Sequence, residues 1–355
     1  MNIISTYLAR QYCQTLLNVF SISVLLLLVT SAFDVLMRYK GVDLSLDQLA
    51  RLTCYKIPYL LSELSPLLCA LSVLAYLIWL IQTNQLINIF NSGFSIILLV
   101  RLLALVNLAL GLIVLTIVTP LGGILLGRFE DLERGINQQG HLRIYKNILI
   151  KEESFDVQRF IYIQKVDLAN NLLESVTILT LKGKLFDNKL ECQSAKISNE
   201  KWSLSDCQRY SNNVITIVDN VDLVTKVTFE NIWYFLSPVY NVPIWQIPSI
   251  INAAKTLGSQ TKMLELHYYK QIFRVLLTAM ISLAPFYFFK ASKAQIFKNI
   301  VDTLVIVFFM FLGVNILTNI LINYINSAIM CNIIPAALCL FVTVVQIRHT
   351  YMNPI

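Results

Sequence analysis

Charged side chains are scarce in this chain. Asp, Glu, Lys and Arg make up 14% of its 355 residues, and the mean hydropathy is +0.65. A soluble globular domain carries about a quarter charged residues, so the deficit excludes an ordinary soluble protein and points to a polytopic membrane protein. No Cys-x-x-Cys occurs, and His141, His267 and His349 form no ligand spacing, so no metal site is expected. There is no Gly-Lys-Ser/Thr phosphate loop and no Gly-x-Ser-x-Gly elbow. No catalytic residue is assigned. No acidic relay runs through the apolar stretches, which weighs against a proton- or sodium-coupled transporter. The net charge of +7 reads, in such a chain, as membrane topology and anionic lipid before nucleic acid.

What is present is apolar length. Runs near twenty residues cross a bilayer as helices, and six appear: about 12–33, 57–81, 96–119, 268–289, 300–322 and 329–347. Pro120, Gly122 and Gly123 are expected to close the third. The first run is too long for a cleaved signal peptide and should remain as a span. Lys290, Lys293 and Lys298 follow span four, Arg10 and Arg348 flank the chain ends, and the last loop carries no charge. The positive-inside rule then puts both termini in the cytoplasm. Arg38, Lys40, Arg51 and Lys56 weigh against this on the outer side, and Asp34, Asp43 and Asp47 do not cancel them, because the rule counts mainly cations.

Between Gly127 and Glu265 the pattern changes. Short β-branched runs at 141–150, 160–166, 175–181 and 214–218 are punctuated by Asn and Gly, as at Asn170-Asn171 and Lys182-Gly183. This predicts an antiparallel β-domain, a sandwich or roll. A short helix over 250–257, stopped by Gly258, leads back towards the membrane. Cys192 and Cys207 both fall in this block. A disulfide is chemically allowed if the block is extracytoplasmic, and two free buried thiols are the alternative. The other five cysteines lie in or beside apolar runs, where Cys behaves as a small hydrophobe.

The loop after span two predicts a two-turn helix over 84–94. Thr83 or Asn84 can cap its start and Gly93 its end. Leu86, Ile89 and Phe90 share one face, which suits either the lipid interface or a cytoplasmic motor. Glu63, Arg101 and Arg274 are charges near span ends and are expected to snorkel to the interface. Arg38 and Lys40, just beyond span one, are either interfacial anchors or a pair that meets lipid phosphates.

These residues resemble the lipopolysaccharide export permeases LptF and LptG over nearly the full length. Pro58 and Pro66 in span two precede the loop Asn84-Gln85-Leu86-Ile87-Asn88-Ile89-Phe90-Asn91-Ser92-Gly93-Phe94, whose Ser92-Gly93-Phe94 end is similar to the family's. Pro120 matches a proline closing span three. Phe160-Ile161-Tyr162-Ile163 and Lys201-Trp202-Ser203-Leu204 look like jellyroll strands of the LptG branch. The resemblance implies an α-helical polytopic membrane protein with six transmembrane helices and an inserted all-β, jellyroll-like periplasmic domain. The divisions expected are 1–126 (spans one to three, with coupling helix 84–94), 127–248 (β-jellyroll) and 249–355 (connecting helix and spans four to six).

The same resemblance implies a non-catalytic permease subunit of an ABC exporter in the bacterial inner membrane. Its expected partners are a cytoplasmic ABC ATPase dimer, a second homologous permease, a periplasmic jellyroll bridge and lipopolysaccharide, with no nucleic acid. ATP and Mg would be used by the ATPase, and no cofactor is expected in this chain. The expected ATPase-docking residues are Gln85, Leu86, Ile89, Phe90 and Gly93, and the expected lipid-binding residues are Arg38 and Lys40. Two positions depart from the family. Gln85 replaces a common Glu, so an ion pair with the motor is lost. Ser31 stands near where LptG members can place a Lys. The alternative function is a membrane-anchored periplasmic scaffold with no transported substrate.

Overall fold

A computed structural model describes residues 3–40, 45–91, 93, 95–137, 144–154, 157–167, 172–182, 185–198, 201–211, 214–225, 242–256, 261–286, 296–325 and 327–352. The chain divides into two compact units, Met1–Glu130 with Glu265–Ile355, and Asp131–Leu264.

The first unit is helical. Its elements are α1 (Ile3–Arg38), α2 (Leu46–Gln82), α3 (Gln85–Asn91), α4 (Ile96–Ile113), a π turn (Val114–Val118) and α5 (Thr119–Asn137), whose last residues pass into the second unit. After the inserted block come α7 (Lys262–Ile281), α8 (Ile296–Tyr324) and α9 (Ala328–Met352), with α6 (Ile247–Thr256) preceding them inside the second unit. Among the described residues, five helices are long and apolar enough to cross a membrane: Ile3–Arg38, Leu46–Gln82, Ile96–Glu133, Phe297–Tyr324 and Ala328–Val345. Helix α7, at the expected fourth span, is not among them. Lys270 and Arg274 interrupt its apolar face, and residues 287–289 lie outside the described set. Lys290, Lys293, Asp43 and Gly258 lie outside it as well.

Local chemistry explains the helix starts and bends. Ser45 caps α2 in a capping box with Gln48, and the Ser95 hydroxyl accepts from the Leu98 N–H to start α4. Helix α2 passes through both of its prolines. Pro66 has no N–H for the Ser62 carbonyl, and the Ser65 hydroxyl donates to that carbonyl instead, at 2.9 Å. Pro120, Gly122 and Gly123 were expected to end the third span, but the helix continues through them to Asn137. The π turn lies directly ahead of Pro120. Its wider i→i+5 bond, from Thr119 N–H to Val114 O, relieves the clash a proline makes with the preceding turn. Gly122 then lets α5 touch α2, since a Cβ there would come 2.9 Å from Tyr59 N and Cα.

Helix α2 is central to the unit. Val73, Tyr76, Leu77 and Leu80, at helical spacing, join Leu8, Tyr12 and Leu16 of α1, Ile89 of α3, and Leu99 and Leu103 of α4 in one buried cluster. A second cluster joins Ala70 of α2 and Ile281 of α7 to Val307 and Val314 of α8 and Cys339 of α9.

The second unit carries one antiparallel sheet in the order β1-β2-β3-β4-β5-β6. The strands are β1 (Ile144–Ser154), β2 (Val157–Asp167), β3 (Leu172–Lys182), β4 (Leu185–Ser198), β5 (Lys201–Ser211) and β6 (Val214–Val224). They are longer than the short runs expected, and β4 was not foreseen. Each described strand pairs only with its neighbours in sequence, which is a meander. Ile161, Ile163, Val176, Ile178, Leu190, Trp202 and Leu204 lie at the centre of its core. Glu152 is buried and satisfied, accepting from Thr225 at 3.2 Å and standing 3.6 Å from the Arg159 guanidinium.

The inward alternation slips at one row. Inward residues run two apart and then three apart: Ile161, Ile163 and Val166 on β2; Leu173, Val176 and Ile178 on β3; Leu190, Cys192 and Ala195 on β4; Trp202, Leu204 and Cys207 on β5. The extra outward residues, Gln164, Ser175, Gln193, Asp206 and Asp219, lie across from one another at a row where the pairing is interrupted but the register is kept, and all are exposed. Ser175 and Asp206 take left-handed backbone, with φ 53 and 54. Strands β2 to β5 thus each carry an extra outward residue at the same level, and in them the same face stays inward on both sides of the row. Beside it Cys192 and Cys207 face each other with Cα atoms 4.1 Å apart and are joined in a disulfide, which decides between the two alternatives left by the sequence.

Candidate functional site

A short helix, α3, forms within the expected 84–94 segment, over Gln85–Asn91. Thr83 and Asn84 form the turn after α2, with Asn84 at φ 56, and Gly93 at φ 81 follows α3. Asn and Gly tolerate this left-handed backbone better than other residues. The face the helix presents differs from the expected one. Ile89 is buried in the chain's own helical core and Leu86 is half-buried against it, so neither is a free apolar knob. Two turns on a short loop cannot bury an apolar stripe against each other, and the nearest apolar surface is α2 and α4. The outward residues are Ile87, Asn88 and Asn91, with Ile87 56% exposed. Gln85 keeps a buried side-chain oxygen with no hydrogen-bond partner among the described residues. Ser92 and Phe94 lie outside the described residues, as does the side chain of Phe90.

Arg38 is the last residue of α1, and Lys40 is exposed in the turn after it. Asp34 stands one helical turn before Arg38, 3.7 Å from its guanidinium, and accepts from Lys56 of α2 at 2.9 Å. One carboxylate therefore sits between two cations, Arg38 and Lys56, with Lys40 exposed two residues beyond Arg38. Ser31, one turn further in, is buried and donates to the Thr53 carbonyl of α2 at 3.4 Å. Where a Lys would bring charge, Ser31 ties the two helices together.

The snorkelling expected of Glu63 and Arg274 is overturned. Arg274 of α7 is buried and donates from Nη2 to Oε1 of Glu63 on α2. A charge in an apolar bundle is costly alone, and the two ions satisfy each other instead. Arg101 is exposed on α4. Lys270 joins Glu63 and Arg274 in lining a narrow cavity of about 20 Å³, closed on the other side by Phe311, Asn315, Thr318 and Asn332. Deeper in the bundle, Tyr12 donates to Oδ1 of Asn107 at 2.7 Å, and Nδ2 of Asn107 donates to Ser282 at 2.9 Å. The only sequence signal for the Glu63–Arg274 pair was two opposite charges in apolar runs 211 residues apart. An intramembrane charge calls for a partner, and that rule would have found it.

Comparison with protein families matches residues 6–349 to the lipopolysaccharide export system permease LptF/LptG. The chain belongs to this family. No individually curated protein matches it. As an LptF/LptG permease the chain takes part in lipopolysaccharide export, and its apolar helices make it a multi-pass membrane protein. The family consists of permeases rather than enzymes. The LptF/LptG match spans both chain units, so the sheet is an integral part of the permease.

Proposed function

We propose that this chain is one of two permease subunits of an ABC exporter that extracts lipopolysaccharide from the inner membrane and passes it to a periplasmic jellyroll bridge towards the outer membrane. The family match over 6–349 carries this reading. ATP, with Mg, is used by a dimer of cytoplasmic ATPases in separate chains, and this chain holds no cofactor. The likeness of 160–163 and 201–204 to the LptG branch favours LptG as its place in the pair.

The geometry supports particular roles. Helix α3 docks the motor through its outward Ile87, Asn88 and Asn91, while the Gln85 oxygen is turned into the protein. Leu86 and Ile89 hold that helix on the body instead of meeting the motor. Arg38 and Lys40, with Lys56, bind phosphate groups of the lipid by charge-assisted contacts. Helix α7 completes a sixth span, and the meander forms one wall of a jellyroll in the periplasm. The Cys192–Cys207 disulfide supports that placement, because such bonds persist in oxidising compartments.

Depletion of the protein tests the reading. Newly made lipopolysaccharide should accumulate in the inner membrane, and normal delivery to the outer membrane after depletion would overturn it in favour of a scaffold.

A further inference from the structure

The outward face of the sheet is hollow at one place. Side chains on β3, β4 and β5 line a single open groove of about 290 Å³: Ser175, Thr177, Glu191, Gln193, Asp206 and Gln208. The pairing register sets them on a grid. Thr177 stands opposite Glu191, and Glu191 opposite Gln208. Ser175, Gln193 and Asp206 form the parallel row two residues away. Val176 and Cys192, whose side chains are buried in the core below, form the floor between the rows. Neighbouring strands lie about 4.8 Å apart and two residues span about 7 Å, so the grid is about the size of a sugar ring.

Donors and acceptors are mixed in this groove. Glu191 and Asp206 accept, the amide N–H groups of Gln193 and Gln208 donate, and the two hydroxyls do both. Tyr210 donates to Oε1 of Gln208 at 2.8 Å, and Lys189 holds Oε1 of Glu191. Both side chains are thereby fixed, and the Gln208 N–H groups and the second Glu191 oxygen are left for a ligand. Among the described residues, the side chains of Ser175, Thr177, Gln193 and Asp206 have no hydrogen-bond or ion-pair partner. Two carboxylates turn phosphate away. The lining offers no exposed apolar side chain to an acyl chain, and no group of three metal-binding side chains gathers among the described residues. The ligand that fits carries several groups that each donate and accept around a compact ring, which describes the hydroxyls of a sugar. Tyr162, opposite Thr177 at the end of the first row and 39% exposed, adds an aromatic face for such a ring to stack on.

The groove is also held in shape. The disulfide joins Cys192, between Glu191 and Gln193, to Cys207, between Asp206 and Gln208. The four longest side chains of the grid therefore rise from one cross-linked pair of strands. Ser175 and Asp206 keep left-handed backbone, with φ 53 and 54, a conformation uncommon outside glycine and found at ligand-binding positions. A site fixed before its ligand arrives loses less freedom on binding it.

We propose that this groove binds an uncharged sugar unit through its hydroxyls. It lies on the face opposite the apolar core and is separate from the phosphate contacts assigned to Arg38 and Lys40. In the periplasm, where the reading above places the sheet, the sugar belongs to the cargo's oligosaccharide or to a wall glycan, and the binding chemistry is the same for both.

Saturation-transfer NMR on the full-length permease in lipid nanodiscs tests it, with deacylated lipopolysaccharide oligosaccharide and a soluble wall-glycan disaccharide as separate probes. Transfer to the sugar ring protons is expected with at least one, and the probe that receives it names the source. Glu191→Ala with Gln193→Ala should weaken binding about tenfold or more, and Tyr162→Ala about threefold. Ser203→Ala with Asp222→Ala, which removes an outward hydrogen-bonded pair elsewhere on the sheet, should leave binding unchanged. No transfer to either probe, or transfer that Glu191→Ala with Gln193→Ala leaves intact, would overturn the site. Sugar binding is read here without transport, so its failure leaves the exporter reading standing, and depletion tests that reading by itself.

Discussion

Arg274 and Glu63, 211 residues apart in sequence, meet as an ion pair between α7 and α2, with the Arg274 side chain buried and the Glu63 side chain partly exposed. Removing one partner strands the other. Glu63→Ala should therefore destabilise the detergent-solubilised protein by about 3–5 kcal/mol. Glu63→Met with Arg274→Met should recover most of that loss, because a packed apolar pair replaces the ions at little net cost. Thermal unfolding of the two variants checks this, and equal melting temperatures would contradict it.

Asn107 is the joint between Tyr12 and Ser282. Asn107→Ala leaves a buried tyrosine hydroxyl without its acceptor, and a stranded group of this kind costs about 1–3 kcal/mol. Tyr12→Phe with Asn107→Leu removes both polar ends of that bond and should cost less than Asn107→Ala alone. A double-mutant comparison of melting temperatures reads the difference.

The seven cysteines should divide into five reactive thiols and one bridge. Alkylation of the denatured, unreduced protein should modify five, and seven after reduction. Cys192→Ser with Cys207→Ser should lower the stability of the sheet unit by about 2–4 kcal/mol through lost cross-linking of the chain. Seven reactive thiols without reduction would show that no bridge forms.

The proposed docking face of α3 is separate from the face that holds the helix on the bundle. Ile87→Glu should release the co-purifying ATPase and leave the melting temperature of the permease unchanged. Ile89→Glu buries a charge in the helical core and should lower the melting temperature itself. If Ile87→Glu retains the ATPase in full, the outward face is not the docking face.

The cations at the C-terminal end of α1 are exposed, and their effect should be on cargo and not on stability. Arg38→Glu with Lys40→Glu should cut photocrosslinking of lipopolysaccharide to the permease several-fold while shifting stability by less than about 1 kcal/mol. Asp34→Asn removes the competing carboxylate and should act in the opposite direction. Unchanged crosslinking in both variants would make these residues interfacial anchors only.

Much of this was legible in the sequence, and the misses share a cause. Apolar length announced α1, α2, α4, α8 and α9, since nothing but a membrane or a core accommodates such runs. The α3 helix was visible from Asn84 and Gly93, but periodicity does not say which way an apolar face points, so Ile89 was read as outward. Strand β4 escaped because Leu185–Ser198 is rich in polar residues and its inward set, Leu190, Cys192, Ala195 and Ile197, breaks the period of two. Pro120 was read as a stop because a proline's effect depends on the turn ahead of it, and the π turn at Val114–Val118 has no sequence signal of its own. The Glu63–Arg274 pair was legible only as two opposite charges in apolar runs, each calling for a partner.

The row of Gln164, Ser175, Gln193, Asp206 and Asp219 also acts as a register filter. A sheet with strict alternation accepts an added strand in any register displaced by two residues, because facing is preserved. This sheet does not. A strand laid along β1 or β6, from this chain or from another protein, keeps its apolar residues inward on both sides only if its own extra outward residue meets the row. The sheet can thus reject a generic strand on alignment alone, before any side chain is compared.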